Sequence, residues 1–202
     1  MTTPIAYHPL NTVFSRTLTD TRIKDPQSLR DAIRKLHKEF QVQNVVVSSI
    51  PMKPWLAEFL PKEIHVGRPT DLLCISSSRS DPETNSVVYA CTVPLIPGYF
   101  SGVGDLFSAL VLAHFDPDGK SPLPGAVGKA LTKTHALVQS THDHAQTLEE
   151  ADRTSTDDEL DKKDPMRLVR RMRGRELRLI QGQDIIRAEG LGRQMKAWET
   201  FW

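Results

Sequence analysis

Ser101-Gly102-Val103-Gly104-Asp105-Leu106-Phe107-Ser108-Ala109-Leu110-Val111-Leu112-Ala113-His114-Phe115 is the stretch on which the fold turns. Two glycines one residue apart let backbone amides face inward with no Cβ in the way. The run that follows is apolar nearly all round, which predicts a buried helix from 106 to 115, ended by Asp116-Pro117-Asp118-Gly119. A turn of this kind at the mouth of a helix presents unpaired N–H groups and the positive end of the helix dipole, a ready site for phosphate. Asp105 is read equally well as a helix cap, because Asp is a favoured capping residue.

Working outward, Asp25-Pro26 predicts a helix start, with Asp as cap and Pro at the first helical position. Leu29, Ala32, Ile33, Leu36 and Phe40 recur at helical spacing behind it. Asn44-Val45-Val46-Val47-Ser48-Ser49 then reads as a strand buried on both faces of an α/β sheet. Pro51, Pro54 and Pro61 mark an irregular connection, with Trp55, Phe59 and Leu60 packed beneath it. Asp71–Ser77 and Ser86–Val93 are predicted as an antiparallel hairpin across the polar link 79–85. Downstream, a helix is expected from Ala126 to Leu148, with Val127, Ala130, Leu131, Thr134, Leu137 and Val138 on its inner face. Residues 149–165 are acidic and poor in apolar side chains, an exposed insertion, and Glu176–Ile180 alternates as a final strand would.

Composition bounds the function classes. The 202 residues hold 26 Lys and Arg against 25 Asp and Glu, so no net field draws the chain to nucleic acid or an anionic membrane. No apolar run approaches the ~20 residues of a membrane span, and the first residues lack the basic-then-apolar pattern of a leader. A soluble, cytoplasmic protein is the expectation. Cys74 and Cys91 lie in apolar stretches and are expected as buried free thiols.

The aromatic approach Tyr99-Phe100, the Gly102-Val103-Gly104-Asp105 turn and the apolar run behind it resemble the signature of the ribokinase-like small-molecule kinases. Within that superfamily the chain is most similar to eukaryotic pyridoxal kinases, the fungal ones especially. Leu18–Ile23, the helix through Leu36-His37, Val45–Ser49, the run 104–110 and Arg175–Gln181 carry the likeness in the family's order. The resemblance implies a three-layer α/β/α fold with a mixed sheet, of which residues 17–190 supply the C-terminal part. It further implies ATP-dependent phosphorylation of pyridoxal, pyridoxine or pyridoxamine at the 5′-hydroxyl, giving pyridoxal 5′-phosphate in vitamin B6 salvage, with Mg²⁺ or another divalent cation. Asp105 would be the catalytic base facing the substrate. Gly102, Val103 and Gly104 would form the anion hole, and Ser48, Ser49, Tyr99, Phe100 and Ser101 would line the ATP site. For Ser48 and Ser49 strand-end turn chemistry is the alternative, and Tyr99 and Phe100 read equally as core aromatics.

The chain departs from the family pattern in two places. Val103 stands where Thr is common, which keeps the backbone N–H but loses a hydroxyl. Residues 1–16 match nothing in the family, the segments that build the pyridoxal pocket are missing, and 191–202 form a tail. A half sheet is expected to leave a parallel strand with an unpaired edge, and so to associate with something, a homodimer included. Two alternatives follow: a non-catalytic fragment that binds nucleotide or a partner, or another ribokinase-like kinase, such as one for hydroxymethylpyrimidine.

Other clusters carry less. His142 and His144 stand two apart on a helix and point in different directions, so no metal site is expected from them. Arg170, Arg171, Arg173 and Arg175 are expected to pair with the neighbouring acidic stretch. Trp198, Phe201 and Trp202 either cover a hydrophobic face or lie exposed.

Overall fold

The computed structural model describes residues 5–9, 19–64, 68–81, 83–119, 122–150, 162–190 and 192–202. Among the described residues the sheet has five strands in the spatial order β1 (Ile5–Pro9), β2 (Asn44–Pro51), β3 (Leu72–Ser78), β4 (Val87–Val93), β5 (Lys196–Ala197). Only the β1–β2 pairing is parallel; the other three are antiparallel, so the sheet is mixed as expected. Strand alternation sorts the side chains to two faces. Val45, Val47, Leu73, Ile75, Val88 and Ala90 face one core, and Val46, Cys74, Cys91 and Val93 face the other. A layer of helices covers each face, which gives the three-layer α/β/α architecture.

The first layer holds α1 (Pro26–Lys38) and α2 (Pro54–Phe59). Asp25 caps α1 by accepting the Ser28 N–H at 2.7 Å, while the Ser28 hydroxyl oxygen accepts the Asp25 N–H at 3.1 Å. The apolar stripe Leu29, Ala32, Ile33 and Leu36 is buried as its spacing predicts. Phe40 is not part of it: α1 ends at Lys38, and Phe40 lies beyond the helix, 47% exposed. The open question over the late aromatics resolves toward cover. Trp198 and Phe201 are buried in this layer, packed on each other and on Phe59.

The second layer holds α3 (Val103–His114) and α4 (Pro122–Gln146). All six residues expected on the inner face of α4 are buried. The expectation of a fully buried α3 is corrected. Phe107, Leu110 and Val111 are buried, whereas Leu112 is 62% exposed, because α4 and the sheet cover only one side of α3. Cys74 and Cys91 are cross-strand neighbours and free. Burial pushes the Cys91 thiol up to about 11 and the Cys74 thiol well above its usual range, so both stay protonated and unreactive.

One expectation is shifted and another fails. The parallel strand at the edge of the sheet is not β2 but β1, Ile5–Pro9, within the segment that matched nothing, which pairs along β2 on one side. Glu176–Ile180 is not a strand. Glu176 makes one isolated bridge to Ser101, after which Leu179 donates to the Leu177 carbonyl and Gly182 to the Arg178 carbonyl, both at 2.8 Å. These turn bonds leave Ile180 83% exposed, and the place beside β4 belongs to β5. Of the acidic stretch, 151–161 lies outside the described residues; its end is helical. Asp164 caps α5 (Pro165–Arg173) and pairs with Arg170 at 2.7 Å, the charge pairing expected of the basic cluster. A short helix α6 (Gln183–Arg187) precedes β5. Among the described residues no helix is long and apolar enough to cross a membrane.

Candidate functional site

β2 carries a bulge where the site residues fall. Val47 pairs with Ile75 and Ile50 with Leu73, so Ser48 and Ser49 together face a single residue of β3. The extra residue puts Ser49 at φ 60, the left-handed region that few residues other than glycine enter. Bulges re-aim side chains next to functional sites. Here Ser48 stays buried and Ser49 is exposed, and both reach the same cavity.

That cavity, of about 290 Å³, lies between the end of β2, the loop after β4 and the facing sides of α3 and α4. The loop contributes Leu95, Ile96, Tyr99 and Phe100; α3 contributes Val103 and Phe107. Five of the nine residues expected at the site therefore share it: Ser48, Ser49, Tyr99, Phe100 and Val103. Tyr99 is 62% exposed, so it is not a core aromatic, and Phe100 sets the edge of its ring against His142.

Ser101, Gly102, Gly104 and Asp105 stand at the rim, outside the lining. Gly102 is the residue before the helix, at φ 80, and no side chain caps α3. Leu106 makes the first intrahelical bond, to the Gly102 carbonyl at 3.0 Å. The N–H groups of Val103, Gly104 and Asp105 thus precede the helical ladder, three donors at a positive dipole end. Asp105 is not the cap residue its type suggested. It sits in the first turn, exposed, beside those donors. Ser101 is tied from behind, its N–H donating to the Arg175 carbonyl at 3.0 Å.

Sequence reasoning placed Thr134 in the core and passed over His135; the structure puts both in the cavity wall, with Leu131 and Val138. Thr134 is 7% exposed, and its hydroxyl has no hydrogen-bond partner. Its neighbours on α4 differ: Thr132 and Thr141 donate to the carbonyls four residues back, of Gly128 and Leu137. His135 is held below its usual range by burial first and then by the Arg193 charge, against an opposing hydrogen bond to the Pro94 carbonyl. With one ring nitrogen donating to that carbonyl, the other is an acceptor, and its Nε2 has no partner. A mostly apolar cavity suits a flat heteroaromatic ring, while the two orphaned polar atoms belong to residues of its wall and are themselves closed off from solvent.

Among the described residues no group of three metal-ligating side chains comes together. A magnesium ion does not need one, since it is commonly held by one or two carboxylates, water and the phosphates of its substrate.

No family model matches the sequence. A protein of Schizosaccharomyces pombe provisionally named a pyridoxal kinase is 30% identical over 141 residues, covering 65% of this chain and 40% of its own length. Among solved structures, a pyridoxal kinase from Leishmania donovani in complex with ADP and pyridoxamine superposes with a TM-score of 0.62 at 20% identity. It covers 96% of this chain and 51% of its own. Pyridoxal kinase from Trypanosoma brucei gives 0.60 at 18% identity, over 96% and 50%. A Bacteroides thetaiotaomicron protein, provisionally a phosphomethylpyrimidine kinase, gives 0.59 at 13%, over 96% and 51%. The chain spans about half the length of these structures, and less of the yeast protein. It has the ribokinase-like α/β fold, and in sequence and structure it is similar to part of a pyridoxal kinase.

Proposed function

We propose that this chain carries the nucleotide-binding and phosphoryl-transfer part of a pyridoxal kinase. The observation that carries the reading is the juxtaposition at α3. Three unladdered N–H groups and an exposed Asp105 stand at the rim of a cavity suited to a heteroaromatic base. In this reading Ser48, Ser49, Tyr99, Phe100 and Ser101 line the path of ATP, with the base toward Thr134 and His135.

The reaction is ATP-dependent phosphorylation of the 5′-hydroxyl of pyridoxal, pyridoxine or pyridoxamine, the salvage step to pyridoxal 5′-phosphate. Asp105 takes the proton as the hydroxyl oxygen bonds to the γ-phosphorus and the bond to ADP breaks. The backbone donors of the Gly102–Gly104 turn meet the charge on the equatorial oxygens, where preorganised dipoles lower the barrier most. Val103 serves this role through its N–H, which its side chain does not alter. Magnesium, if bound with the nucleotide, would neutralise phosphate charge.

The test is pyridoxal-dependent ADP release by the folded chain, with Asp105→Asn as control. Turnover that falls about 10²–10⁴-fold in the variant supports the base assignment. Turnover unchanged by the substitution overturns it. No turnover, with ATP still bound, points instead to a nucleotide-binding fragment. Competition by hydroxymethylpyrimidine separates the related kinase reading.

A further inference from the structure

A second cavity, of about 420 Å³, opens at the far end of α3. It lies roughly 17 Å from the Gly102–Asp105 turn, at about 1.5 Å of helix rise per residue. Its wall brings together His114 from the last turn of α3, Lys129 and Lys133 one turn apart on α4, Arg187 at the end of α6 and Glu189 just beyond it.

Lys133 is 4% exposed. Its Nζ lies 3.0 Å from His114 Nε2 and donates to the Ile186 carbonyl at 2.7 Å. An ammonium has three N–H donors, so one remains, and neither acceptor carries a charge. Among the described residues, Lys133, Lys129 and Arg187 take part in no ion pair. A buried charge without a counter-charge is costly. The carboxyl end of α3 offers the equivalent of about half a negative charge and Glu189 one more, against three cations. His114 feels the surplus: burial first, then Lys133 and Lys129, hold it below its usual range.

We propose that this cavity binds a phosphate-class anion, either inorganic phosphate or a small phosphomonoester, at a site separate from the one where phosphoryl transfer is proposed. The missing charge is one to two units, which matches a phosphate dianion. Lys133 supplies its remaining donor from the buried side, Lys129 a second ammonium, and Arg187 a planar fork suited to two phosphate oxygens. The volume leaves room for a small organic group.

The experiment is titration of the full chain with inorganic phosphate at low ionic strength, with AMP-PNP saturating the first site. Binding is read by calorimetry and by the His114 ring resonances. Saturable binding that shifts His114, and that weakens about tenfold or more in Lys129→Ala and in Arg187→Ala, supports the site; loss of one charge-assisted hydrogen bond is worth about that much. Both substituted side chains are exposed, so the fold is expected to survive, and circular dichroism checks it. Glycerol phosphate in place of phosphate distinguishes the sources: tighter binding assigns a phosphomonoester, equal binding the free anion. Binding abolished by AMP-PNP, or unaffected by both substitutions, or absent altogether, overturns the proposal.

Discussion

The Arg175 carbonyl accepts the Ser101 N–H at 3.0 Å, so the turn that opens α3 is anchored by a segment far along the chain. The residue after Ser101 needs that anchorage. Gly102 holds φ 80 with open space where a Cβ would stand, so the constraint there is conformational rather than steric. Gly102→Ala is expected to cost about 1–2 kcal/mol, the penalty of left-handed backbone for an L side chain. Chemical denaturation measures it. The same substitution should lower nucleotide turnover more than nucleotide affinity, because in the proposed reaction the turn faces the transferred group.

Thr134→Val should raise the thermal midpoint of the ligand-free chain. The buried hydroxyl lacks a partner, and removing such a group recovers about 1–3 kcal/mol of desolvation. In the same variant ATP should stabilise the chain less than it does the parent. A destabilised variant would mean that the hydroxyl is satisfied within the fold.

Trp198→Ala is expected to destabilise the chain by about 3–5 kcal/mol, as large-to-small changes in a packed core do. Trp198 is 2% exposed, with its ring centroid 4.8 Å from Phe59 and 4.9 Å from Phe201. Urea unfolding of the two proteins decides it. A cost below that of a surface substitution would show that the aromatic cluster is not part of the core.

Stability should fall with acid. His37 is buried, with Nδ1 donating to the Val42 carbonyl at 2.6 Å and Nε2 2.8 Å from the Ser77 hydroxyl. Burial above all, with Arg79 adding to it against the Val42 bond, holds its pKa below the ordinary 6.5. The folded state therefore binds fewer protons than the unfolded one in this window. The contribution is complete above about pH 6.5 and is lost as the pH falls through the depressed folded value. A thermal midpoint that held level or rose between about pH 7.5 and 5.5 would contradict this.

The parts of the fold that could be read in advance are those where local chemistry and burial agree. Asp25-Pro26 starts a helix whatever surrounds it, and Val45–Val47 is apolar on both faces because both faces are covered. Glu176–Ile180 shows the converse. Its alternation is genuine, yet it lies outside the sheet, and Lys196-Ala197 take the place beside β4. At the site, Ser48 and Ser49 were legible by type, but the bulge that carries them is set by register with β3 and cannot be seen in one strand. Thr134 fitted the helical stripe so well that its periodicity concealed its position in the cavity wall. A hydroxyl inside an otherwise apolar stripe was the available signal.

The position of Trp198 and Phe201 also bears on how the protein is made. Strands β2 to β4 are complete by Val93, but the aromatic pair that seals one of their faces follows about a hundred residues later. At a synthesis rate of about 5–20 residues per second, that face waits roughly 5–20 s on the ribosome with only α1 and α2 to cover it. A ribosome stalled before residue 198 would hold a sheet with that face incompletely sealed.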